Sequence, residues 1–390
     1  MDITYRTDKN ILYISVEGRV DTSNARETEE KIFAIKKANE GKHTVIDAEK
    51  LEYISSAGLR VILKLRKADA SLAIINVSPE VYDIFDMTGF TDMVTIERAY
   101  KRISVEGCEF LAKGANGAVY RYDDETIVKT YFSKDALPEI QQERESARKA
   151  FVLGVNTAIP YGIVRVGEGY GTVTELLNAS NLTKLVCNSP EDFEKHVEYY
   201  VDLLKSIHDV EADEGDFPDM KETALDWARF VADYLPNEKG SKLVSLVEAV
   251  PKSNVLLHGD YHTNNIMIQN GEPLLIDLDT LCVGHPVFEL GSMYNAFLGF
   301  SELDHSEIER FMGYDYGTAE VFWKAALKKY LDTEDDARFT EVENKARIIG
   351  YTRLLRRAAR RREQPGAEQK IEYYKAKLLE LLEVVDTLEF

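Results

Sequence analysis

The period of the hydrophobic positions changes along this chain. Leu12, Ile14 and Val16 alternate with polar neighbours, as in a half-buried strand, and residues 44–48 and 72–77 read as further strands. Residues 24–38, behind Thr22-Ser23, and residues 57–67 carry apolar side chains at helical spacing. This alternation predicts an α/β sandwich, with helices laid on a sheet. From residue 110 the pattern becomes strand, turn, strand: 110–121 around Gly114 and Gly117, then 126–131, 159–164 and 170–177, interrupted by a helix over 136–153. Past residue 178 the chain is mostly helical. Ser189-Pro190-Glu191-Asp192 predicts a capping box opening a helix through Phe193, Val197, Tyr200, Leu204 and Ile207. Amphipathic stretches follow at 222–235 and 369–388. The expected division is 1–103, 104–178 and 179–390.

The densest chemistry lies in His258-Gly259-Asp260-Tyr261-His262-Thr263-Asn264-Asn265, followed by Ile276-Asp277. Between them, residues 266–269 and 274–276 read as two short strands joined by Asn270-Gly271, a pair that tolerates the positive φ angles of a tight hairpin. That hairpin would set Asn265 beside Asp277. Transfer of a γ-phosphoryl group needs a carboxylate aimed at the acceptor hydroxyl and oxygen ligands for Mg²⁺. Asp260 suits the first role, Asn265 and Asp277 the second. A rival reading makes His258, Asp260 and His262 ligands of a hydrolytic zinc ion, although no further His or Cys cluster completes that shell.

These residues resemble the aminoglycoside phosphotransferase and choline kinase family, whose catalytic loop reads H-G-D, four residues, Asn, with I-D downstream. The resemblance implies a bilobal α+β protein-kinase-like fold using ATP and Mg²⁺ to phosphorylate a hydroxyl on a small-molecule acceptor. Gly284-His285-Pro286 and Glu289-Leu290 stand where the family has G-D-P and D-L. The departures, His285 and Glu289, are expected to lie apart from the chemistry. Upstream, Gly114, Asn116 and Gly117 form a turn that would cover phosphates, because glycine permits close backbone approach. Lys129 is placed like the kinase lysine that pairs the α and β phosphates. Glu145 is favoured as its ion-pair partner, with Glu143 left open. Glu175 to Leu177 would form the hinge that contacts adenine.

The first hundred residues follow another pattern. Val45-Ile46-Asp47 leading to Tyr53-Ile54-Ser55-Ser56-Ala57-Gly58-Leu59-Arg60, together with Gly18-Arg19-Val20-Asp21-Thr22 and Phe85-Asp86-Met87-Thr88-Gly89-Phe90, resembles the STAS domain of anti-sigma factor antagonists. In those antagonists a partner kinase phosphorylates a serine just before the Gly-Leu helix, here Ser56, and this switches binding to a protein partner, the anti-sigma factor. Phosphate at a helix N-terminus meets free N–H groups while adding negative charge to a binding surface. The usual acid before that serine is Ser55 here, and an N-cap without a switch is the plainer reading.

With 390 residues, 44% of them hydrophobic, two or three compact units are expected. The net charge of −20 argues against nucleic acid as a general partner, while an acidic cleft would suit a cationic acceptor. The basic run Arg353, Arg356, Arg357, Arg360, Arg361 and Arg362 is read as a face paired with Glu341, Glu343, Glu380, Glu383 and Asp386. His208 is expected to be packed rather than a ligand. Three scattered cysteines and the lack of an apolar leader or spanning run point to the cytoplasm, with no membrane. A second reading is a regulatory protein whose kinase-like part senses nucleotide or modifies Ser56. A third, a nucleotide-binding scaffold without turnover, fits poorly with an intact set of Lys129, Asp260, Asn265 and Asp277.

Overall fold

The computed structural model describes residues 2–114 and 116–390. Ala115, inside the predicted phosphate turn, lies outside the described residues. Two compact units emerge: Met1–Ser104 with Ile163–Glu168, and Val105–Gly162 with Gly169–Phe390.

In the first unit the strands Ile11–Val20, His43–Asp47, Ala73–Val77 and Thr95–Arg98 run parallel, side by side in that order. Asp2–Asp8 pairs antiparallel with the outer edge of Ile11–Val20, and Leu51–Ile54 joins its far end. The helices Ala25–Ala38, Ser56–Ala68 and Pro79–Met87 connect them. Leu12, Ile14, Ile46, Ile74, Val81 and Phe85 are buried in a core of its own. The period-2 reading of residues 12–16 holds because the inward positions of that strand are the apolar ones. At the start of the second helix the side chain of Ser55 accepts the Gly58 N–H at 3.4 Å, and Ser56, the next residue, is exposed.

The second unit begins with an antiparallel sheet in which Gly169–Glu175, Thr126–Tyr131, Gly117–Arg121 and Glu109–Lys113 lie in that order. The helix Leu137–Val152 follows the strand that carries Lys129. The rest is helical around one large apolar core, broken by the hairpin Ile266–Gln269 and Glu272–Leu275. Its turn residues Asn270 and Gly271 take φ of 55° and 85°, as the dipeptide predicts. The expected capping box is absent: Pro190–Asp192 forms a 3₁₀ turn, and the Ser189 side chain makes no cap bond before the helix Phe193–His208. No helix among the described residues is long and apolar enough to cross a membrane.

Candidate active site

The site is built on the hairpin. Its strands pair Ile266 with Leu275, and the Ile276 N–H donates to the Asn265 carbonyl at 2.9 Å, so the residues entering and leaving the hairpin are held together. Asn265 turns its Nδ2 back to the Asp260 carbonyl at 3.0 Å. This leaves Oδ1, the atom suited to a hard cation, uncommitted to that bond. Asp277 follows the second strand with φ of 62°, a conformation that L residues adopt sparingly and that recurs at functional positions.

From the sheet, Lys129 reaches across to Asp277 Oδ1 at 3.1 Å and to Glu143 Oε1 at 2.8 Å. Tyr131 donates to the other oxygen of Glu143 at 2.7 Å. The partner of Lys129 is therefore Glu143, not Glu145. Glu145 points along its own helix to Arg148 at 2.6 Å, because residues two apart on a helix face nearly opposite ways. Burial alone would lower the pKa of Lys129, but the charges of Asp277 and Glu143 overcome this and raise it, so the ammonium is fixed. Asp279, a residue outside the predicted set, is pushed up to about 6 by burial and by the charges of Asp277 and Glu143. The amide oxygen of Asn265 and the carboxylates of Asp277 and Asp279 are hard oxygen donors of the kind that a magnesium ion takes.

Asp260 keeps its side chain 46% exposed while the loop beneath it is locked. Burial would raise its pKa, yet the hydrogen bond from His262 and the charges of His262 and Arg353 hold it below the ordinary value. His258 is fully buried and its pKa is lowered to about 4, chiefly by burial, so the ring is neutral. Its Nδ1 accepts the Asp260 N–H at 3.3 Å, which puts the ring proton on Nε2, facing the Ile276 carbonyl at 3.4 Å. Both ring nitrogens are thus spent on the protein. No group of three His, Cys, Asp or Glu residues among the described residues is arranged to hold a metal, so the zinc reading fails.

Glu289 corrects a second expectation. It is 1% exposed and sits under the loop, its carboxylate accepting the N–H groups of His258 and of Gly259, the latter at 3.1 and 3.2 Å. Ser292, one turn further on, donates to the Gly259 carbonyl at 2.8 Å, and Arg353 holds Ser292 from the far side at 2.8 Å. Arg353 also faces the Trp227 ring at 5.6 Å. The other departure, His285, caps the helix Pro286–Tyr294 through the Val287 N–H. His208 is packed, its Nδ1 beside the Tyr330 hydroxyl at 2.8 Å.

In the expected phosphate turn, the Gly114 N–H donates to the Gly117 carbonyl at 2.9 Å, and the Asn116 carbonyl accepts from Phe132 at 3.0 Å. A Cβ on Gly117 would lie 2.0 Å from the Thr130 carbonyl oxygen, so strand pairing alone demands glycine there. At the expected hinge, the N–H groups of Glu175 and Leu176 are taken by the carbonyls of Ile159 and Glu125. The Leu177 N–H makes no such bond among the described residues.

The model of the phosphotransferase enzyme family matches residues 107–321, more than half of the chain. This chain belongs to that family. A STAS domain model matches residues 2–119. Across 100 residues, 25% of this chain and 85% of the relative, the sequence is 31% identical to BtrV of Bordetella bronchiseptica, named as an anti-sigma factor antagonist. Among solved structures, aminoglycoside phosphotransferase APH(2'')-Ib with ADP bound is 14% identical with a TM-score of 0.49, over 70% of this chain and 93% of that one. The apo form of a thermostable mutant of APH(4)-Ia is 11% identical with a TM-score of 0.43, over 71% and 94%. A STAS domain and a domain of the phosphotransferase enzyme family are therefore joined in one chain.

Proposed function

We propose that this protein is an ATP-dependent kinase that phosphorylates a hydroxyl group of a small-molecule acceptor. Residues 104–178 are the nucleotide-binding lobe, 179–390 the catalytic and acceptor-binding lobe, and 1–103 a regulatory STAS domain. The observation that supports this reading is the double ion pair of Lys129 with Glu143 and Asp277, the lysine and the acid assigned here to the phosphates and the metal. Asp260, ionised and partly exposed, accepts or orients the acceptor's proton as its oxygen attacks the γ-phosphorus. Gly114, Asn116 and Gly117 cover the phosphates, and Leu177 offers its N–H to the adenine edge. Asn265 Oδ1 and Asp277 would hold Mg²⁺, with Asp279 beside them. When bound, the ion neutralises charge on the transferred phosphoryl group. Cys108, Cys187 and Cys282, all free, suit a cytoplasmic setting.

A second reading rests on the exposed hydroxyl of Ser56 at the first turn of its helix. In it the STAS surface binds a protein partner, and phosphate on Ser56 switches that binding. One experiment separates the two. Purified protein is incubated with Mg²⁺ and ATP, with and without a panel of hydroxyl-bearing amines and sugars, beside Ser56→Ala and Asp260→Ala. ADP release and intact mass are followed. Release that requires an added acceptor and Asp260 supports the small-molecule kinase; a gain of one phosphate lost in both variants supports the switch. Nucleotide turnover unaffected by Asp260→Ala would sink the mechanism.

A further inference from the structure

The arginine run on the last turns of the helix Asp336–Arg360 is not paired as its sequence predicts. Every acid expected to neutralise it is engaged elsewhere. Glu341 pairs with Arg338 at 2.9 Å and with Lys345, Glu343 accepts from Trp323 at 2.8 Å, and Glu380 pairs with Lys377 at 3.4 Å. Glu383 and Asp386 pair with Lys239 and Lys242. Of the run, only Arg362 has an ion pair among the described residues, with Glu368 at 3.2 Å. Arg353 is spent on Ser292 and the catalytic loop.

Arg357 and Arg361, one helical turn apart, line a concave pocket of about 140 Å³ together with Gln364, Lys370 and Tyr374. The Arg357 guanidinium lies over the Phe300 ring at 4.9 Å, a cation–π contact at the pocket wall. Glu307 also lines the pocket and pairs with Lys370 at 3.2 Å, so its charge is shared with that lysine, and neither guanidinium has an ion pair of its own among the described residues. Burial, followed by the charges of Arg361 and Arg353, lowers the pKa of Arg357 against the smaller opposing effects of Tyr374 and Glu307. The chain has 68 acidic residues against 48 Lys and Arg, so acids to neutralise this cluster are not scarce. A cluster left unneutralised in so acidic a protein is matched to an anion from outside.

We propose that this pocket binds the phosphate group of a small molecule through Arg357 and Arg361. Two planar guanidinium forks, each able to make paired hydrogen bonds, suit a tetrahedral dianion. The depression of about 140 Å³ is large enough to admit a phosphate head group. The site lies on a helix other than the elements that carry Asp260, Asn265 and Asp277, and it does not depend on the kinase reading.

The test is calorimetric titration of the full chain, without Mg²⁺, with inorganic phosphate, pyrophosphate and glucose 6-phosphate. Wild type is compared with Arg357→Gln/Arg361→Gln, with Arg357→Lys/Arg361→Lys, and with Lys129→Ala, which disables anion binding in the nucleotide cleft. The expected result is binding that weakens at least about tenfold in the glutamine variant and changes little in Lys129→Ala. The lysine variant should recover part of it, and added salt should weaken it. Tighter binding of glucose 6-phosphate than of inorganic phosphate identifies an organic ester as the ligand; equal binding identifies the free ion. The proposal is overturned if no probe binds wild type, if the glutamine variant binds as wild type does, or if Lys129→Ala alone abolishes binding.

Discussion

Glu289 and Gly259 are joined through the floor of the loop that carries Asp260, the buried carboxylate accepting the glycine N–H at 3.1 Å while also taking that of His258. The residue that differs from the family's usual aspartate thus fixes the backbone on which Asp260 is mounted. Glu289→Ala would leave two buried N–H groups without acceptors. It should lower stability by about 2–4 kcal/mol, measured by urea unfolding.

The same carboxyl makes stability depend on pH. Burial raises its pKa from the ordinary 4.5 to about 7 in the folded protein. The folded state therefore keeps a proton that the unfolded state releases, and the linkage slope is negative. Its contribution is full below about 4.5 and is lost as pH rises towards about 7. Glu289→Gln should remove this part of the slope. Identical pH dependence of the melting temperature in wild type and variant would contradict the assignment.

Glu143 and Glu145 should separate cleanly in kinetics. Loss of the carboxylate in Glu143→Gln frees Lys129 from its anchor and should reduce kcat/KM for nucleotide by about ten- to a hundredfold. Glu145→Gln, which removes only a surface pair with Arg148, should stay within about twofold of wild type.

Asp260→Asn should cut kcat by about 10²- to 10⁴-fold. The side chain is partly exposed, so the melting temperature should move little. Because its pKa lies below the ordinary 3.8, protonation of Asp260 should produce no acid limb in the pH–rate profile above that value. Such a limb, present in wild type and absent in the variant, would refute this.

Gly259 has φ of 81°, and a Cβ built there would stand 2.4 Å from the Thr280 carbonyl oxygen. Gly259→Ala should destabilise by about 1–3 kcal/mol and lower activity with it. Gly114→Ala, where a Cβ meets nothing within 4 Å, should leave stability near wild type. Parallel urea titrations of the two variants are the check.

What was legible in the sequence is local. The change from period 2 to period 3.6 marked out strands and helices because burial of one face imposes that spacing. Asn270-Gly271 announced its hairpin because few residues accept positive φ, and the spacing of Asp260, Asn265 and Asp277 singled out the loop proposed as catalytic. The pairings that complete the site are not local. Two glutamates on one helix look equivalent until the strand Thr126–Tyr131 selects the face that carries Glu143. Glu289 and Arg353 reach the Gly259 backbone from 30 and 94 residues away, and no periodicity encodes that approach. The arginines of the last turns looked neutralised by nearby acids because composition counts charges without directions. Only the folded helices decide which cation each carboxylate meets, since an ion pair forms over a few ångströms and sequence separation does not measure that distance.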